Sequence, residues 1–127
     1  MRYVRLRRLR DLAAVLTGGA LLFCGGAAAQ DDASLRERYE LAIRCFVTYG
    51  TLRGDSGDAG DQASAGAFEQ RAHRAFQVAG GLGNMLDYSR DQMERDIGAI
   101  ETREMPRMVK DKAYLKSAEA ACRAHSF

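Results

Sequence analysis

Beyond residue 29, the cysteines and histidines of this 127-residue sequence are Cys45, Cys122, His73 and His125, side chains with the chemistry to ligate a metal, carry a haem or attack a substrate. Two thiols and two imidazoles make a Cys2His2 set of the kind zinc takes. Covalent haem attachment needs C-x-x-C-H, with two thiols and an adjacent imidazole. The chain offers Cys122-Arg123-Ala124-His125, one thiol short and with its histidine displaced. A nucleophilic cysteine needs an exposed thiolate beside a base, whereas both thiols fall on apolar helical stripes. The expectation is no catalytic residue, no metal ligand and no cofactor. His73 is expected on an exposed polar face, and His125 is expected to fray.

Whether the thiols can pair depends on the compartment. Residues 1–11, MRYVRLRRLRD, carry five arginines and one acid, and Leu12 to Gly26 are uncharged. Ala27-Ala28-Ala29-Gln30 then supplies a small-x-small site. A basic segment, a short apolar run and an A-x-A site read as a secretory signal peptide over residues 1–29, cut between Ala29 and Gln30. Residues 30–127 are expected to form a single α-helical domain. A membrane anchor needs about 20 apolar residues, and this shorter run contains four glycines. Lipid attachment at Cys24 is disfavoured by the bulky Phe23 before it. No stable membrane anchor is expected after cleavage.

The whole chain carries 19 basic and 17 acidic side chains; removal of the leader leaves 14 against 16. The basicity belongs to the leader, and no basic patch interleaved with aromatics survives. Nucleic acid is therefore not expected as a partner. Arginine far exceeds lysine and alanine and glycine are abundant, as in GC-rich bacterial genomes. With the leader, that composition points to a periplasmic or secreted protein. In such a space Cys45 and Cys122 are expected to form a disulfide. Closing a loop of that length stabilises a fold by about 4 kcal/mol in the chain-entropy model.

The elements must then bring residues 45 and 122 together. Ser34-Leu35-Arg36-Glu37 is a capping box, so a helix is expected to start there. Leu35, Tyr39, Ala42, Phe46 and Tyr49 recur at steps of four and three, and Leu41, Cys45 and Leu52 widen that stripe. A helix apolar around so much of its girth is expected to be central. Gly50 is read as a break and GDSGDAGD, residues 54–61, as a flexible acidic loop. The aspartates of that loop are not spaced as a calcium loop requires.

A second helix is expected from Gln62 to Ala79, stopped by Gly80-Gly81-Leu82-Gly83. A third starts at Asn84 or Ser89, carries Met93, Ile97 and Ile100 inward, and ends or kinks near Glu104 because of Pro106. A fourth has Asp111 as N-cap, although a short turn beginning at Pro106 is an alternative. Leu115, Ala118, Cys122 and His125 share one face of it. Glu94, Asp96, Glu101 and Glu104 are read as surface acids paired with Arg90, Arg95 and Arg103. No segment alternates like a strand. The fold class is all-α, a small antiparallel bundle of about four helices stapled by one disulfide after a cleaved signal peptide.

Residues 42–50, AIRCFVTYG, and 72–80, AHRAFQVAG, share alanine, arginine, phenylalanine and glycine thirty positions apart. The Ala72, Phe76 and Ala79 pattern resembles part of the second helix of a tetratricopeptide repeat. That resemblance implies a helical-hairpin interaction module, although the repeat's spacing and first-helix pattern are missing. The expected function is a non-enzymatic binding or interaction role toward an unknown protein or small ligand, through a groove between helices. The exposed ends of Tyr39, Tyr49, Tyr88 and Tyr114 are the expected contacts. The alternatives are a bundle that holds a cofactor or metal on Cys/His ligands, or the tetratricopeptide-like module.

Overall fold

The computed structural model describes residues 20–127, with side chains from residue 31 onward. Its helices are α1 (Ala20–Asp58), α2 (Gln62–Met85), α3 (Arg90–Lys110) and α4 (Lys112–Ala124). No strand occurs among the described residues. The basic part of the leader and the start of its apolar run lie outside them, and the Ala29–Gln30 junction falls within the backbone of α1. No helix among the described residues is long and apolar enough to cross a membrane. Residues Ser34–Phe127 form one compact unit, and all packing described below is internal to it.

Alpha-helical spacing puts apolar side chains nearly all round the middle of α1, and there the core forms. Tyr39, Ala42, Ile43, Cys45, Val47 and Tyr49 are buried. Thr48 and Thr51 are buried among them, and their hydroxyls donate to the carbonyls of Arg44 and Val47 one turn back, at 2.8 and 2.9 Å. Those bonds remove the penalty of burying a lone hydroxyl. Ile43, Met108 and Leu115 are each at most 2% exposed. Burial on that scale contributes about 1.5–3 kcal/mol per side chain.

Side-chain pairs fix the helix directions. Tyr39, Phe46 and Tyr49 meet Gly83, Phe76 and Phe68 of α2 in turn, so α2 runs antiparallel to α1. Tyr39, Arg44 and Thr48 meet Asp96, Glu104 and Met108, so α3 runs parallel to it. Cys45 joins Cys122 while Asp55 meets Lys112, which turns α4 back again. The result is an up-down-up-down bundle with α1 touching each of the other three.

Three helices end in the same way. Gly60, Asp87 and Ser126 have φ of 78°, 56° and 63°, left-handed values at the residue just past each C-cap. Across each end the amide two residues past the cap bonds five residues back: Asp61 to Ser56, Tyr88 to Gly83 and Phe127 to Cys122. These are Schellman closures, which satisfy carbonyls the helix leaves free. The starts are capped by side chains. Asp61, Ser89 and Asp111 accept from the amides of Ser64, Gln92 and Tyr114 at 3.0, 3.1 and 3.0 Å.

Several boundaries differ from those expected. Ser34 caps nothing, because α1 is already helical at Ala20 and its amides are bonded to the preceding turn. Gly50 does not break α1, which continues through most of the acidic stretch, and only Ala59 and Gly60 form a turn. The glycines at 80, 81 and 83 lie inside α2. Leu82 is buried, and a side-chain carbon at Gly83 would come within 3.3 Å of the Tyr39 ring, so packing outweighs glycine's preference for a stop there. The left-handed residue is instead Asp87. Pro106 neither ends α3 nor starts a turn of its own; it lies inside the helix, which Ile100 and Met108 anchor on either side. Ser89 and Asp111 start α3 and α4 as expected.

Candidate functional site

Cys45 lies mid-way along the central helix and Cys122 in the last turn of α4, and the two form a disulfide with their Cα atoms 5.6 Å apart. They are 0% and 1% exposed. Both sulfurs are spent in the bond, so neither is a thiolate ligand or nucleophile. His73 is exposed on α2, its Nε2 lying 3.1 Å from the Gln77 side-chain nitrogen. His125 is exposed as the C-cap of α4, off the face it was expected to share with Cys122. It does not fray. The Schellman closure ties the next two residues down, and Phe127 folds back onto the core, where its carbonyl accepts from the Tyr49 hydroxyl at 2.8 Å. No group of three His, Cys, Asp or Glu side chains able to hold a metal ion occurs among the described residues.

The expected tyrosine contacts are corrected as well. Tyr39 and Tyr49 are 2% and 0% exposed, and their hydroxyls are engaged inside the protein. Burial raises the pKa of both phenols. For Tyr39 the hydrogen bond and charge of Asp96 add to the effect, followed by Tyr88 and Glu40. Tyr88 and Tyr114 are half-buried. Tyrosine spacing at a helix surface looks the same whether the ring faces solvent or a neighbouring helix.

Two clusters lie on the seams around α1. In the first, the Tyr114 hydroxyl donates to Glu104 and accepts from Arg44 at 2.9 Å. Arg103 Nε reaches the other Glu104 oxygen at 3.1 Å, and Arg107 stacks 3.8 Å above the Tyr114 ring. Burial alone would raise the Glu104 pKa, but the bonds from Tyr114 and Arg103 and the charges of Arg44 and Arg103 outweigh it and hold the carboxyl below its ordinary value. The Arg44 Nε is buried without a partner, so the cluster is held at some cost.

The second cluster surrounds a groove of about 230 Å³ between α1 and α3. Ile43, Ala99 and Ile100 supply its apolar part. Tyr39 and Tyr88 stand edge to face with ring centroids 5.1 Å apart. Asp96 accepts from the Tyr39 hydroxyl and from Gln92 Nε2, both at 2.8 Å. Arg36, Glu40 and Arg103 complete the lining.

Asp96 and Glu104 were expected on a solvated face; they turn instead into the α1 seams. Arg90 and Glu94 do form the expected one-turn surface pair, at 3.1 Å. The groove residues were missed because heptad-like spacing on one helix does not say which charges face a second helix. The available signal was Asp96 one turn before Ile100, on the edge of the inward stripe. The chain matches no protein-family model, no curated protein and no solved structure.

Proposed function

We propose that the chain is an exported, periplasmic or secreted helical protein with a non-enzymatic binding role, acting through the groove between α1 and α3. The observation that carries this reading is the buried Cys45–Cys122 bridge, which agrees with the oxidising destination implied by the leader. The bridge ties α1 to α4, and the groove on the α3 side of α1 offers aromatic, apolar and charged groups together. Such mixed concave sites suit recognition. The reading with a metal or cofactor on Cys/His ligands has less support, since both sulfurs are bonded to each other and the imidazoles of His73 and His125 are exposed on different helices. The tetratricopeptide-like reading gains only the Phe46–Phe76 contact, at 5.4 Å between centroids, which any antiparallel hairpin can supply.

Expression of the full chain in a bacterium, followed by intact-mass analysis of the periplasmic fraction, tests the export half. The expected product starts at Gln30 and has lost two hydrogens to the disulfide. A retained leader, two titratable thiols or stoichiometric metal would overturn the reading.

A further inference from the structure

We infer that the α1/α3 groove takes a small zwitterion of amino-acid type, its ammonium held by Asp96 and Glu40 and its carboxylate by Arg36 and Arg103. This names the ligand class for the binding role proposed above and rests on it. The hydrogen bonds around Asp96 give the first reason. A carboxylate has about four acceptor positions. Asp96 uses one on each oxygen, both filled by neutral donors, Tyr39 and Gln92. Among the described residues no cation lies within ion-pair distance of Asp96 or Glu40. A partly buried carboxylate with neutral partners and spare acceptor positions, facing a concavity, is arranged for a cation brought from outside.

The aromatic pair points the same way. Tyr88, half-buried and edge to face with the buried Tyr39, lines the groove together with both carboxylates and puts an aromatic ring beside an incoming ammonium group. The guanidinium groups then limit what else that ammonium can carry. Arg36 has no ion-pair partner among the described residues, and Arg103 engages Glu104 through Nε, leaving the rest of its fork free. Guanidinium forks match carboxylates in plane and spacing. A simple amine would meet Arg36 and Arg103 unneutralised, and a simple carboxylate would meet Asp96 and Glu40. A molecule carrying both charges satisfies both pairs. Size sets the remaining limit. The groove's 230 Å³ corresponds to about eight waters at ~30 Å³ each. It falls below the ~300–1,000 Å³ of sites for drug-sized ligands, and Ile43, Ala99 and Ile100 favour an apolar side chain.

The test is an NMR titration of the oxidised, exported protein with the natural amino acids, using leucine as the reference zwitterion. Isopentylamine and 4-methylpentanoate, which each carry one of its two charges, are the controls. The expected result is saturable shifts at Tyr39, Gln92, Asp96 and Ala99 with an apolar amino acid, and binding about tenfold weaker or more with either control, as loss of one charged contact implies. Asp96→Asn keeps an acceptor for Tyr39 and is expected to lower affinity about tenfold. Glu40→Gln, at an exposed position with no internal bond to lose, serves if the first variant misfolds. Absence of saturable shifts with every amino acid, equal binding of the amine or the acid, or unchanged affinity in both variants would overturn the zwitterion. Native mass spectrometry separates that failure from failure of the binding role. A different molecule retained from the periplasm and displaced by Glu40→Arg would keep the groove as a binding site; no retained molecule and no saturable ligand would remove both.

Discussion

At the scale of single residues, the polar groups buried around α1 make stability sensitive to pH at both extremes. Glu104 ionises below its ordinary value in the folded protein, whereas in the unfolded chain it titrates near 4.3. The unfolded state therefore binds the proton first as pH falls. Glu104's contribution is complete above about pH 5 and is lost as pH drops through the depressed native value. Tyr39 and Tyr49 behave oppositely. Their folded pKa values lie above the unfolded value near 10, so their contribution is complete below pH 10 and declines as pH rises past it. Urea midpoints measured from pH 3 to 11 should fall at both ends. Glu104→Gln should flatten the acidic fall while costing about 1–2 kcal/mol at neutral pH, because it removes charge from bonds to Arg103 and Tyr114.

At the scale of the elements, helix ends show what was legible in the sequence and what was not. Asp111 was readable as an N-cap ahead of the last inward stripe, and Ser89 because its capping box precedes an inward stripe and follows a stretch that has left the helix. Ser34 carries the same motif and caps nothing, since helix precedes it. A capping box marks a start only where the chain before it is not helical, and that depends on residues outside the motif. Ser89→Ala should cost about 1 kcal/mol and Ser34→Ala almost nothing, compared by urea unfolding. The glycines failed as stop signals for a different reason. Gly83 is used for the close approach of Tyr39, while the left-handed position passes to Asp87. An L side chain in that conformation is costly, so Asp87→Gly should stabilise the protein by about 0.5–1 kcal/mol, seen as a raised urea midpoint.

At the scale of the whole molecule, the all-helical architecture could be read from apolar periodicity, and the pairing of Cys45 with Cys122 from the two cysteines left when the N-terminal segment holding Cys24 is set aside. The role of α1 could be read too, since no solvated helix is apolar around so much of its girth. The groove could not, because it is made by the register between α1 and α3, and periodicity along one helix contains nothing about register between two. Replacing both cysteines by alanine should lower stability by up to about 4 kcal/mol, with a matching loss of helical signal at lower urea. The reduction should be smaller if the open chain already holds α1 against α4, and a loss below about 1 kcal/mol would show that the bundle closes without its bridge.

Cys45 and Cys122 are buried in one cluster with Tyr49, against which Phe127 packs, and that burial denies dissolved reductant a direct approach to the bond. A thiol can reach the bond only in the small population of molecules whose α4 has swung away. The pace at which dithiothreitol cleaves the native protein is therefore a clock for that opening, slowed by any change that seats the final turn more firmly. The same burial sets an order of events in folding: the two sulfurs have to join before the cluster around them closes.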